Sequence, residues 1–190
     1  MIIDPNKLDI LRTISYCLLA VFSFLSMPIM VKAEPLIREV RIGLLAHDVD
    51  GLWSGDSREE GTDINAEMVF CPTWAILGGV VRPNLGISIN DSGDTSKVYG
   101  GGLWEYSWNN GFFLDIGGGI AVHNGETDDT SKTDKKYLGS SILFRITFEA
   151  GFTIEKHHRI SMMFDHISNG YLADPNDGLD TLGIRYGYLF

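Results

Sequence analysis

Beyond residue 37 the chain alternates apolar and polar residues with a period of two, and clusters of Gly, Asn, Asp and Pro interrupt the alternation. This period places apolar side chains on one face of a strand and polar ones on the other. It predicts eight strands. The first, about 38–47, sets Val40, Ile42, Leu44 and Ala46 on one face. The second, about 62–71, alternates Ile64, Ala66, Met68 and Phe70 with Asp63, Asn65 and Glu67. The third, about 80–90, carries Leu85, Ile87 and Ile89, and the fourth, about 97–107, carries Trp104 and Tyr106. The fifth, about 111–122, sets Phe112, Leu114, Ile116, Ile120 and Val122 against Asp115 and a run of glycines. The sixth, about 138–150, sets Ile142, Phe144, Ile146 and Phe148 against Arg145, Thr147 and Glu149. The seventh, about 158–168, carries Ile160, Met162 and Phe164, and the eighth, about 180–190, carries Leu182, Ile184, Tyr186, Tyr188 and Phe190.

Each segment is near the roughly 9–11 residues that a tilted strand needs to cross a bilayer. Glu67, Asp115, Arg145, Glu149, Asp165 and Arg185 fall mid-strand, opposite the apolar face. In a soluble sandwich those positions meet water. In a small membrane barrel they line the interior, where opposite charges pair. Alternation alone admits both. The C-terminal strand adds a discriminating feature: it ends in Phe190, with Tyr188 and Tyr186 on the same face. That resembles the closing strand of bacterial outer-membrane barrels. The expected fold is therefore all-β, an eight-stranded antiparallel transmembrane β-barrel of the outer-membrane type.

The N-terminus reads as a secretory signal over 1–33, with Lys7 and Arg12 before an apolar run from Ile14 to Val31. Val31-Lys32-Ala33 offers the small residues of a cleavage site, leaving 34–190 as one barrel domain. An uncleaved anchor is the alternative, since the run nearly reaches spanning length. No second apolar run of that length follows, so a mature chain in a membrane must cross it with strands. Cys17 lies in the signal and Cys71 stands alone beyond it, so no internal disulfide framework is expected. The net charge of −10 argues against nucleic acid as a partner.

Candidate chemistry concentrates near the end of the chain. His166 and Ser168 continue the apolar face defined by Ile160, Met162 and Phe164. Asp180 shares parity with Leu182, Ile184 and Tyr186. Three catalytically capable side chains thus sit at the ends of two lipid-facing stripes. Consecutive strands are usually neighbours, so the two ends should meet in space. A Ser hydroxyl becomes nucleophilic when an imidazole takes its proton and a carboxylate orients that imidazole. His166 and Ser168 lie roughly 7 Å apart by strand rise, within side-chain reach if the strand end bends. Ser168-Asn169-Gly170 is equally compatible with simple turn chemistry, and Asp180 with an ordinary strand start at the water interface. His157-His158 reads as a polar turn rather than a metal site, because adjacent strand residues point to opposite faces. His47 and His123 read as loop-edge residues. Tyr99, Trp104, Tyr106 and Trp108 read as an interfacial aromatic belt.

His166-Ile167-Ser168-Asn169-Gly170, followed by Pro175-Asn176-Asp177-Gly178-Leu179-Asp180, resembles the C-terminal motif of outer-membrane lipid A 3-O-deacylases. Asp63-Ile64-Asn65-Ala66-Glu67 also resembles that family's second strand. The family pairs His-x-Ser-Asn with an acidic residue fourteen positions after the His, the spacing of His166 and Asp180. The resemblance implies Ser168 as nucleophile, His166 as general base and then acid, and Asp180 as orienting carboxylate. It implies Asn169 and Gly170 as contributors to an oxyanion hole. It implies the lipid A of lipopolysaccharide as substrate, the outer-membrane bilayer as surroundings, and an active site facing the outer leaflet. The chemistry needs no metal or other cofactor, and a homodimer stays open. Two positions depart from the family pattern: its acidic residue is usually Glu where this chain has Asp180, and its usual Ala is here Gly170. Three rival readings remain: a non-enzymatic structural or adhesion barrel, a lipid A acyltransferase, and a soluble periplasmic β-sandwich.

Overall fold

The computed structural model describes residues 35–128 and 132–190, and the signal segment expected over 1–33 lies outside the described residues. The strands are β1 (Ile37–Ala46), β2 (Thr62–Phe70), β3 (Trp74–Ile76), β4 (Gly79–Asn90), β5 (Lys97–Ser107), β6 (Phe112–His123), β7 (Ile142–Ile154), β8 (His158–Ser168) and β9 (Leu179–Leu189). Each pairs antiparallel with its sequence neighbour, except that β2 skips β3 and pairs with β4. β1 pairs with β9 as well as with β2, so eight strands close into a barrel. The remaining strand, β3, pairs only with β4 and extends that hairpin beyond the end of β2.

The alternation is realised as wall and lumen. Ile42, Leu44, Ile64, Ile120, Phe144, Ile160 and Met162 are exposed on the outside, and Ile184 is 66 % exposed. An apolar belt of this extent is unfavourable in water and favourable in hydrocarbon. It excludes the soluble sandwich, whose apolar residues would meet in a core.

The lumen is filled by charge. Arg41 bonds Glu149 at 2.7 Å and Glu39 at 2.9 Å, and pairs with Asp115 at 2.8 Å. Arg185 bonds Glu67 at 2.9 Å and also Glu149. Lys97 pairs with Asp165 at 2.6 Å, and Arg145 pairs with the same carboxylate. Arg159 bonds Glu105 at 2.7 Å. Buried charges are costly unless partnered, and here each faces opposite charge across a narrow tube. Gly43, paired with Arg185 across β1 and β9, leaves room for the stem of that arginine, since a Cβ there would stand 2.6 Å from Arg185 Cγ.

Three expectations from the sequence need correction. The sixth expected strand, 138–150, is β7 at Ile142–Ile154. Leu138 is buried under the loops instead of in the wall, so its apolarity mimicked a strand start. Tyr99 does not belong to the aromatic belt: its odd position in β5 turns it into the lumen, where Asn65 Nδ2 donates to its hydroxyl at 2.8 Å. Arg145 lies 3.7 Å above its ring. Trp104, Tyr106 and Trp108 do face outward, continuing through Phe112 and Phe152 as an aromatic run at the end of the barrel that holds the chain termini. Finally, β3 has no counterpart among the eight expected segments.

Candidate active site

β8 and β9 are joined by residues 169–178 at the end of the barrel opposite the termini. Their register sets His166 directly across from Asp180. Even positions of β8 face outward, so His166 and Ser168 extend the stripe of Ile160, Met162 and Phe164 to the rim. His166 Nδ1–H donates to Asp180 Oδ1 at 2.6 Å. This fixes the tautomer and turns the Nε2 lone pair toward Ser168, whose Oγ–H lies 3.0 Å away. The strand continues through Ser168 without a break, and the side chains alone close the separation that backbone rise imposes. The structure thus brings His166, Ser168 and Asp180 together in one line.

The loop between β1 and β2, residues 47–61, folds over the outside of this line. Val49 N–H donates to Asp180 O at 3.0 Å, and Ser54 N–H donates to Asp180 Oδ2 at 2.7 Å. Both carboxylate oxygens are therefore engaged, one by the imidazole and one by a backbone amide. Trp53 sets its ring at 5.2 Å from His166, 5.5 Å from Phe164 and 6.0 Å from Phe148, each near-perpendicular. Under this cover the Asp180 side chain is fully buried, while the His166 side chain keeps 13 % exposure. Exclusion of water strengthens the hydrogen bond that holds the imidazole. The loop's contribution lay outside sequence reasoning: one partner is a main-chain N–H, and Trp53 sits in a segment without periodicity.

The two expected oxyanion-hole residues separate. Asn169 is buried, and its Nδ2 donates to Leu138 O at 3.0 Å and Pro175 O at 2.8 Å. Its own N–H donates to Asn176 Oδ1 at 2.9 Å. Asn169 therefore fastens the strand end to the neighbouring loops, and its donors are spent there. Its parity explains this, since it follows Ser168 and points to the opposite face. Gly170 adopts φ +64°, and among the described residues its N–H has no hydrogen-bond partner. A left-handed residue two positions after the serine suits glycine and turns the chain back over the rim.

A second polar cluster anchors the covering loop. His47, expected as a loop-edge residue, is buried at the mouth of the lumen. Its Nδ1 lies 2.7 Å from Asp63 Oδ1 and its Nε2 lies 3.0 Å from Glu59 Oε2. Two carboxylates on two ring nitrogens call for an imidazolium, which has a proton for each. Burial alone would lower the His47 pKa, but the hydrogen bonds to Asp63 and Glu59 outweigh it and push it up to about 9. Burial likewise opposes the Glu59 charge, yet the bonds from His47, Thr95 and the Lys136 amide hold its pKa below the usual carboxylate range. His123 is committed to Ser140 O at 2.7 Å. His157 and His158 reach Leu189 O and the Tyr186 hydroxyl at the opposite end of the barrel.

The family model for the lipid A 3-O-deacylase (PagL) matches residues 78–189, which contain all three members of the line. Lipid A deacylase PagL of Bordetella bronchiseptica is 33 % identical over 79 residues, 42 % of this chain and 42 % of that protein. The aligned stretch thus spans less than half of that relative. The crystal structure of the outer membrane enzyme PagL superposes with a TM-score of 0.61 at 18 % identity. It covers 80 % of this chain and 99 % of that one, a likeness of fold. By the extent of the family match, the chain belongs to the lipid A 3-O-deacylase (PagL) family.

Proposed function

We propose that this protein is a serine esterase of the outer membrane that hydrolyses the ester-linked acyl chain at the 3-position of lipid A. The observation that carries the reading is the line Asp180–His166–Ser168, hydrogen-bonded from end to end on the apolar outer wall. Charge on a lipid-facing surface costs about 2–4 kcal/mol at mid-membrane and less near the interface, so a line placed at the rim suggests use. Once a leader over 1–33 is removed, the barrel spans the membrane with its termini on the periplasmic side. The rim carrying Ser168 then lies at the outer leaflet, level with the ester bonds of lipid A.

The steps follow from the geometry. Ser168 Oγ gives its proton to His166 Nε2 and attacks the ester carbonyl. Asp180 holds Nδ1–H and stabilises the imidazolium that forms. The developing oxyanion takes the Gly170 N–H, an amide two positions after the nucleophile with no hydrogen-bond partner among the described residues. His166 Nε2–H then protonates the departing 3-hydroxyl oxygen of the sugar, leaving the acyl group on Ser168. Water, deprotonated by the same Nε2, releases the hydroxy fatty acid and restores the serine. Every proton has a side chain to carry it, so the cycle calls on no metal or organic cofactor.

Mass spectrometry of lipid A from cells expressing the wild type or Ser168→Ala tests this. Loss of one 3-linked hydroxyacyl chain with the wild type alone supports it. Identical lipid A from the two folded, membrane-inserted proteins overturns it in favour of a non-enzymatic barrel, and gain of a chain points to acyl transfer.

A further inference from the structure

We infer that Lys136 is a positioning residue for the proposed triad, acting through Ser54 on the carboxylate of Asp180. The inference rests on the reading of Asp180, His166 and Ser168 given above. Lys136 lies in the connection between β6 and β7 and is 1 % exposed. Its Nζ donates to Ser54 O at 3.0 Å and to Asp56 O at 2.6 Å, and it pairs with Asp48 Oδ1 at 3.4 Å. Two carbonyls and one carboxylate surround the ammonium, and all three belong to the one loop that covers the triad. Asp48 in turn accepts the amides of Arg58 and Glu59 at 2.6 Å and 3.0 Å through its other oxygen, closing that loop on itself. Lys136 N–H adds a bond to Glu59 Oε1 at 3.2 Å.

Ser54 is the link. Its carbonyl is held by Lys136, and its amide donates to Asp180 Oδ2. A carboxylate gripped at both oxygens cannot rotate about Cβ–Cγ. When the Ser54 amide is released, Oδ1 is free to swing away from His166 Nδ1. The imidazole then loses the contact that fixes its tautomer and stabilises its cation. Lys136 is buried beneath the loop and presents nothing to the lipid-facing surface, so it acts on turnover and not on substrate binding.

The test uses the full-length protein in detergent micelles, with two readouts. One is deacylation kinetics on purified lipid A. The other is the rate at which a fluorophosphonate labels Ser168, which reports serine activation without any lipid. Lys136→Met should lower kcat and the labelling rate by about 10- to 100-fold, as loss of an outer partner that orients a reacting group does, with KM unchanged within about twofold. In the Asp180→Ala background the same substitution should change the labelling rate by no more than about twofold, because the carboxylate it positions is gone. An equal loss in both backgrounds would overturn the proposal, as would a rise in KM at constant kcat. Lys136→Met leaves Asp48 unpaired and can fail to fold, so the pair Lys136→Met with Asp48→Asn, which removes both charges, is made alongside. Its folded barrel should show the same loss, and wild-type kcat in it would overturn the proposal. A wild type that labels at Ser168 yet leaves lipid A intact would refute the substrate while the labelling comparison still decides on Lys136. A wild type that does not label at Ser168 would refute the triad and this inference together.

Discussion

Inside the barrel Arg41 faces Glu39, Glu67, Asp115 and Glu149 at once, whereas on the outer rim His166 has one carboxylate on one nitrogen and one hydroxyl on the other. The two polar regions answer different physical demands. In the lumen most charges are shared among several partners, so desolvation is compensated by a mesh with redundant links. On the rim each link has a single partner and a direction, which is what relaying a proton requires. Damage to the mesh should therefore appear as lost stability, and damage to the line as lost rate.

The largest expected separation comes from Ser168→Ala. Deacylation should fall at least about 10⁴-fold, while unfolding monitored by tryptophan fluorescence stays within about 0.5 kcal/mol of wild type, as for other surface changes. A residual rate within tenfold of wild type would show that Ser168 is not the nucleophile. Asp180→Asn should come next, at about 10³- to 10⁴-fold in kcat, because an amide favours the wrong imidazole tautomer. Arg185→Met makes the opposite case. It removes a cation shared by Glu67 and Glu149, leaves Arg41 to serve both, and should cost about 3–5 kcal/mol in denaturant unfolding, with kcat per folded molecule little changed. A large fall in kcat without a change in stability would erase the distinction between the regions.

His47→Gln tests the anchor between them. The folded His47 pKa of about 9 lies above its unfolded value, so its stabilisation is complete below about pH 6.5 and is lost as pH rises through about 9. The stability gap between wild type and His47→Gln should be about 3 kcal/mol at pH 6 and shrink toward zero by pH 10; a gap that does not change with pH would contradict the imidazolium. The smallest effect should be that of Trp53→Ala. Of its three edge-on contacts only the one on His166 touches the line, worth about 0.5–1.5 kcal/mol, so kcat should drop by no more than about tenfold.

The wall of this protein was legible because strand parity is strict, and the meeting of His166, Ser168 and Asp180 was legible for the same reason. His166, Ser168 and Asp180 each continue an apolar stripe where a polar residue needs a purpose. Tyr99 shows the cost of trusting residue type over parity, since its aromatic character suggested the membrane interface while its odd position placed it beside Arg145. Leu138 misled in a related way: apolar residues buried under loops obey no period, so the start of β7 was drawn too early. The covering loop was hidden for a different reason. Lys136, Asp48 and the Ser54 amide act through main-chain atoms across large sequence separations, and hydrophobic pattern carries no record of such bonds. Asn169 was expected at an oxyanion hole, and only the coordinates show its side-chain donors given to Leu138 and Pro175.

The pairing of His166 with Asp180 across β8 and β9 makes chemical competence a property of assembly. The two residues meet only once the last strand has zipped onto its neighbour in the correct frame. A slip by one position would send the carboxylate into the lumen and leave the imidazole idle. On the proposed reading, an unfolded or half-inserted chain is in this sense a natural zymogen, unable to attack esters on the way to its membrane. Acquisition of serine reactivity would then mark the moment at which the cylinder is properly closed.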